Sequence, residues 1–214
     1  MDLSEIDEAL SSALTGRRLL DHPFYRRWEA GTVSTSELAA YAGQYRHFEA
    51  FLPGFLTRLV AALPGGPGRD LVASNLADEQ GDPVAHVELF ESFAAAVGAG
   101  RNPISAATSR LLSTYDELLD NSATSGLAGF VAYESQAAEI AGSKAEGLRR
   151  HYRLDDDGVR FWEHHARVDL EHGAWARDAL AEAGVTGDAA GADLRRAADA
   201  WWEFLDEREL LAGV

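Results

Sequence analysis

Apolar residues recur every three to four positions along almost the whole chain, and no alternating β-branched run is long enough to make a strand. That periodicity restricts the chain to helices, each burying one stripe. Residues 3–19 carry Leu3, Ile6, Leu10 and Leu14 on one such stripe. Asp21-His22-Pro23 reads as the start of a short helix, with Asp21 or His22 as cap and Pro23 in the first turn. It carries Phe24, Tyr25 and Trp28 and ends at Gly31. Ser34 or Thr35 caps the next helix, with Glu37 placed for a capping box. That helix runs to about Leu63, with a kink expected at Pro53. After the turn Pro64-Gly65-Gly66-Pro67-Gly68, helices are expected at 69–80, 84–98, 103–120, 125–151, 155–184 and 189–211. Gly81-Asp82-Pro83 interrupts the chain between the first two, and Ser125 or Gly126 opens the long one. The expected architecture is an all-α bundle, a single domain spanning residues 1–214, with short loops between helices.

Charge and composition narrow the function classes. A net charge of −16 argues against nucleic acid or an anionic membrane surface as partner, and is foremost a source of solubility. No apolar run approaches the roughly 18–20 residues needed to span a bilayer. The opening Met1-Asp2-Leu3-Ser4-Glu5 is acidic, unlike a signal or transit peptide. The absence of cysteine removes disulfides, thiolate metal sites and Cys nucleophiles together, and a cytoplasmic location is expected. Of the 19 Lys and Arg residues only Lys144 is a lysine. A chain that otherwise uses Arg keeps one amine either by accident or where a guanidinium cannot replace it.

Three segments carry candidate chemistry. His165, Asp169 and His172 stand at i, i+4 and i+7, so they share one helix face. Two imidazoles and a carboxylate on one stripe suit a borderline divalent metal, although the same pattern serves a polar stripe facing water. His164 points about 100° away from its neighbour, off that face. Glu79 and His86 are seven apart, which is compatible with one face or with an acidic helix end bearing a surface His. Glu134 lies in Tyr133-Glu134-Ser135-Gln136, among Leu127, Phe130, Val131, Ala137, Ala138 and Ile140. A carboxylate buried there must be paired, protonated or metal-bound, unless it sits on the polar edge of its helix. Together these give three carboxylates and three imidazoles from three segments. Such a set fits two metal ions in a bundle core, with open positions for O₂ and substrate. Glu139 and Glu163 are nearby fallback donors, while His22, His47 and His151 read as structural or exposed.

These motifs resemble the heme-oxygenase-like dimetal oxidases, relatives in fold of the TenA and PqqC proteins. Within that family the chain is most similar to the group of the chlamydial protein associating with death domains, which makes para-aminobenzoate. The resemblance runs from His22 to about His172. It is carried by His22-Pro23-Phe24-Tyr25 with Trp28 and Gly31, by Tyr41-Ala42-Gly43-Gln44-Tyr45, and by Asn75-Leu76-Ala77-Asp78-Glu79 with His86. Tyr133-Glu134-Ser135-Gln136 and the trio His165, Asp169 and His172 complete it. The resemblance implies a seven-helix-type heme-oxygenase-like bundle. It makes Glu79, His86, Glu134, His165, Asp169 and His172 ligands to two iron ions or a manganese–iron pair.

In that group a Tyr of the protein is thought to supply the ring of the product and a Lys its amine. Tyr25 and Lys144 match those positions. Phe161 stands where the group leads one to expect a Tyr. The implied activity is O₂-dependent para-aminobenzoate formation, with O₂ and an external reductant as partners. Self-association into a homodimer is compatible with it. Two alternatives stand beside it. One is a dimetal oxidase of a small amino-acid or fatty-acid-type substrate, acting by N-oxygenation, desaturation or C–C cleavage. The other is a non-redox binding protein of the TenA or PqqC kind.

Overall fold

Local hydrogen bonds set the helix starts in the computed structural model, which describes residues 3–81, 84–184 and 187–211. Nine α-helices and no strand occur among these residues: α1 Leu3–Leu14, α2 Pro23–Glu29, α3 Thr35–Ala62, α4 Pro67–Gln80, α5 His86–Ala96, α6 Ala106–Asn121, α7 Ala123–Gly147, α8 Asp156–Glu182 and α9 Gly187–Leu211. His22, not Asp21, caps α2, its Nδ1 accepting from the Phe24 amide at 3.1 Å. Ser34 and Glu37 form the reciprocal capping box of α3, at 3.3 and 2.8 Å. Asp155 caps α8 by accepting from the Gly158 amide at 3.0 Å. Caps of this kind contribute about 1 kcal/mol each.

Several helix ends differ from the periodicity reading. Helix α1 stops at Leu14 because the chain turns over Gly16, which takes φ +67°. A short 3₁₀ turn, Leu19–Asp21, then leads into α2. Helix α6 starts at Ala106, with Ser105 as cap, and not at Pro103. Helix α7 starts at Ala123, because Ser122 accepts from the Ser125 amide at 3.0 Å and is the true cap. It ends at Gly147, and a wider π turn, Leu148–Tyr152, follows. Helix α3 continues through Pro53. Asp82 and Pro83, read as an interruption, lie outside the described residues.

Helices α7 and α8 form the central pair. Helices α4 and α5 pack on α8, α3 covers α4 and α5, and α6 and α9 close the other side of α7. Gly173 permits the central approach: a Cβ there would lie 2.9 Å from the Glu134 carbonyl oxygen, closer than atoms tolerate. Trp28, Tyr41, Tyr45, Phe48, Trp162 and Trp201 interlock in the core, with ring centroids 4.6–6.4 Å apart along the chain of contacts. Trp201 also donates its indole N–H to Tyr115 Oη at 2.9 Å, which pins α9. Exposed pairs such as Arg18–Glu139 and Arg26–Asp21 add at most about 1 kcal/mol each. Burial of these large rings, about 1.5–3 kcal/mol for each fully buried side chain, therefore dominates cohesion. No helix of the described residues is long and apolar enough to cross a membrane.

Candidate metal centre

Four helices, not three segments, bring the six expected donors together. Glu79 is near the end of α4 and His86 opens α5, because the chain leaves the helix after Gln80. Glu134 comes from α7, and His165, Asp169 and His172 share one face of α8. All six are buried, none more than 9% exposed. They fall into two triads, Glu79–His86–His165 and Glu134–Asp169–His172, each with its donor atoms within 4.8 Å of one another.

The interior of each triad holds polar atoms that hydrogen bonding leaves unsatisfied. His86 Nδ1 is 3.1 Å from Glu79 Oε2, and His172 Nδ1 is 3.3 Å from Asp169 Oδ1. Both nitrogens, and Glu134 Oε2, are buried without a hydrogen-bond partner. Each such atom costs about 1–3 kcal/mol if nothing satisfies it. Three of them converging among carboxylates and imidazoles fit a pair of cations of borderline hardness. His165 directs Nδ1 to the Phe161 carbonyl at 2.8 Å, which leaves Nε2 for the centre.

Electrostatics agree with a site built for positive charge. Burial, reinforced by Asp169, Glu79 and Glu49, pushes the Glu134 carboxyl well above its usual range. Burial acts on Glu79 in the same direction, but the His86, His165 and His172 imidazoles outweigh it and hold this carboxyl low. Burial pushes His165 down. Burial opposes a raised His172, and the carboxylates of Asp169 and Asp78 overcome it.

A narrow cavity beside the triads is lined by Glu79, Glu134, His165 and Asp169, and also by Glu49, Tyr45 and Trp162. Glu49 is buried, and burial together with Glu79 and Asp169 raises its carboxyl well above the usual range. The sequence reading missed it because Glu49 stands between Phe48 and Leu52 on an apolar stripe of α3. Tyr45 Oη meets Tyr133 Oη at 2.5 Å.

Tyr45 and Trp162 are a shared wall: their other sides face Lys144. Its Nζ lies 4.0 Å from the Trp162 ring centroid, 4.6 Å from Tyr25, 4.9 Å from Tyr41, 5.0 Å from Tyr45 and 5.8 Å from Trp28. The amine donates to Tyr41 Oη at 2.6 Å, and that oxygen also meets Tyr25 Oη at 2.9 Å. Burial forces the Lys144 pKa well down, and Glu49 only partly opposes it. Burial raises the Tyr25 phenol. Tyr25 and Lys144 thus share one aromatic chamber, separated from the triads by the Tyr45–Trp162 wall.

The remaining candidates lie elsewhere. Glu139 pairs with Arg18, and Glu163 with Arg149. His22 is buried beneath Trp202 and reaches Asp206 at 3.1 Å, while His47 and His151 meet the carbonyls of Asn102 and Glu29. Phe161 packs its ring 4.1 Å from that of His165 and contributes to the cavity lining.

An all-helical fold with two buried carboxylate–imidazole triads is compatible with a redox enzyme that uses iron. The chain belongs to the family of iron-containing redox enzymes, whose pattern matches residues 39–206. A relative within reach by sequence is the 4-aminobenzoate synthase of Nitrosomonas europaea, 31% identical over an aligned length of 225 that covers 96% of this chain and 92% of that protein. Two crystal structures share the fold. One is a CADD-like protein of unknown function from Nostoc punctiforme, with TM-score 0.81, 19% identity and 98% of each chain covered. The other is a domain of unknown function with a heme oxygenase-like fold from Shewanella denitrificans, with TM-score 0.77, 16% identity, and 98% of this chain and 92% of that one covered. The all-α fold is therefore heme-oxygenase-like.

Proposed function

We propose that the chain is a 4-aminobenzoate synthase whose product takes its ring from Tyr25 and its nitrogen from Lys144. In this reading one helical domain holds two metal ions, two irons or a manganese–iron pair. Glu79, His86 and His165 hold one, and Glu134, Asp169 and His172 hold the other. When bound, the metals supply oxidising power from O₂ and an external reductant. The protein's own residues do the rest.

One observation carries the reading: Lys144 Nζ and Tyr25 Oη meet on the same atom, Tyr41 Oη, at 2.6 and 2.9 Å. In 4-aminobenzoate the nitrogen is para to the carboxyl. In tyrosine the phenolic oxygen is para to the side-chain methylene. The incoming nitrogen must therefore take the place of that oxygen, and the Lys144 amine is held two hydrogen bonds away from it, through Tyr41 Oη. Burial favours the neutral amine, which alone carries a free lone pair. An Arg in this place would stay charged, with its nitrogens delocalised. The aromatic chamber excludes water, and the Trp28 indole N–H donates to the Lys144 carbonyl at 3.3 Å, which fixes the backbone of α7 beneath the amine.

The test is rescue of a strain that lacks 4-aminobenzoate synthesis. The wild-type gene is expected to rescue, and Tyr25→Phe and Lys144→Arg each to abolish rescue with metal content unchanged. Chain labelled with ¹⁵N at lysine is expected to yield ¹⁵N product. Rescue that survives both substitutions sinks the reading. Multiple turnovers on an added amino acid with Tyr25 dispensable would replace it with a dimetal oxidase of external substrates.

A further inference from the structure

Two residues outside the donor set make contacts that the proposed reaction does not use. Asp78 and His164 line neither the cavity nor the triads. Each nevertheless touches a proposed histidine ligand on the side turned away from the centre. Asp78 Oδ2 lies 2.9 Å from His172 Nε2, and His164 Nε2 lies 2.9 Å from His86 Nε2. The third histidine needs no such partner, because His165 Nδ1 donates to a carbonyl of its own helix.

We propose that Asp78 and His164 are positioning residues for the metal centre, each serving one ion position through one histidine. This rests on the metal-centre reading given above, and on no part of the 4-aminobenzoate chemistry.

Tautomer chemistry supplies the reason. An imidazole that gives one nitrogen to a metal carries its hydrogen on the other. A carboxylate only accepts, so Asp78 keeps the His172 hydrogen on Nε2 and leaves the Nδ1 lone pair facing Asp169. That Nδ1 is one of the buried atoms without a partner. His86 is in the same position: its Nδ1 faces Glu79 without a hydrogen bond, and its Nε2 hydrogen needs an acceptor. Neutral His164 is that acceptor when it carries its own hydrogen on Nδ1, which leaves its Nε2 lone pair towards His86. Arg167 Nη2 lies 3.2 Å from His164 Nδ1 and can only donate there, so this exposed contact opens when His164 takes the tautomer that accepts from His86.

The pattern is a cross-brace. Asp78 is the chain neighbour of Glu79 on α4, yet it secures a histidine of α8. His164 is the chain neighbour of His165 on α8, yet it secures the histidine of α5. Each brace therefore ties the backbone that bears one donor to the side chain of another donor on a different helix. A plain surface ion pair is a poor description, because the Asp78 side chain is 51% exposed whereas that of His172 is 1% exposed and points its free nitrogen inward.

The test resolves the two positions. Metal-free protein is crystallised and soaked anaerobically with graded Fe(II), and anomalous scattering gives the occupancy at each triad. Asp78→Ala is expected to weaken binding at Glu134–Asp169–His172 by about 10–100-fold and leave the other position unchanged. His164→Ala is expected to do the reverse. Asp78→Asn keeps an acceptor without the charge and is expected to lose less than Asp78→Ala, at that position alone; His164→Gln likewise restores part of the loss. Circular dichroism midpoints of the metal-free variants separate these effects from folding. If Asp78→Ala does not fold, Asp78→Asn decides by the same selectivity. Loss shared equally between positions, or no loss at either, overturns the proposal. Wild-type protein that takes up no iron instead sinks the metal centre itself.

Discussion

The Lys144 amine stands 4.6 Å from the centre of the Tyr25 ring, and the two side chains meet at the Tyr41 hydroxyl. Removing that oxygen separates positioning from chemistry. Tyr41→Phe leaves the ring in place but strips the buried amine of its hydrogen bond. The expected cost is about 1–3 kcal/mol of stability, read from urea denaturation. Product formation is expected to fall by about 10²-fold, as for other misplaced reacting groups, with iron content unchanged.

A buried amine also leaves a signature in pH dependence. Burial holds the folded pKa of Lys144 well below its unfolded value. Between those two values the unfolded chain binds one proton more, so this residue's contribution to stability rises with pH. Lys144→Met is expected to stabilise the chain near neutral pH by about 1–4 kcal/mol, because it removes an ionisable group from an apolar enclosure. The advantage of the variant should shrink as pH is raised towards about 10.4, the ordinary value of the unfolded side chain. Paired denaturation series across that range check this. An advantage that grows with pH contradicts it.

Gly173 predicts the sign of another substitution. Alanine in a helix interior is normally better than glycine by about 0.5–1 kcal/mol. Here its Cβ would meet the Glu134 carbonyl at 2.9 Å, and that oxygen belongs to the backbone of α7, which cannot step aside alone. Overpacking costs about 1–3 kcal/mol, so the clash wins. Gly173→Ala should lower the thermal midpoint and reduce iron uptake, because the donors of α7 and α8 are pushed apart.

Iron itself should stabilise the fold. The four carboxyls Glu49, Glu79, Glu134 and Asp169 crowd one buried region, and bound cations relieve both their repulsion and the unsatisfied donor atoms. At a hundredfold excess over its dissociation constant, each ion should add about 2.7 kcal/mol. Calorimetry with and without anaerobic Fe(II) measures it. Chelation should reverse the gain, and Glu134→Ala should diminish it.

Features that were legible in the sequence are those written within one or two helical turns. The capping box at Ser34 and Glu37 and the start of α8 at Asp155 depend on bonds spanning three residues. The shared face of His165, Asp169 and His172 follows from a single helix. Glu49 was hidden because its neighbours in sequence are apolar, and only the tertiary fold brings Glu79 of α4 and Asp169 of α8 near it. Asp78 and His164 were hidden for a related reason: each acts on a histidine of another helix. Lys144 lies ten residues after Glu134, about 15 Å along a straight helix, which places it away from the triads. Its proximity to Tyr25 comes from α2 packing on α7, which no local spacing encodes. The start of α7 was misjudged because Ser122, Ser125 and Gly126 are all plausible openers, and only the direction of one hydrogen bond separates them.

The five rings around Lys144 have a practical consequence. The chain has a single lysine, and its amine is enclosed while the protein is folded. Amine-directed reagents should therefore spare it in the native chain, apart from the terminal amine, and capture it only when the chamber opens. One mass increment at one position would then report the opening of the bundle directly, so that the molecule carries its own clock for unfolding.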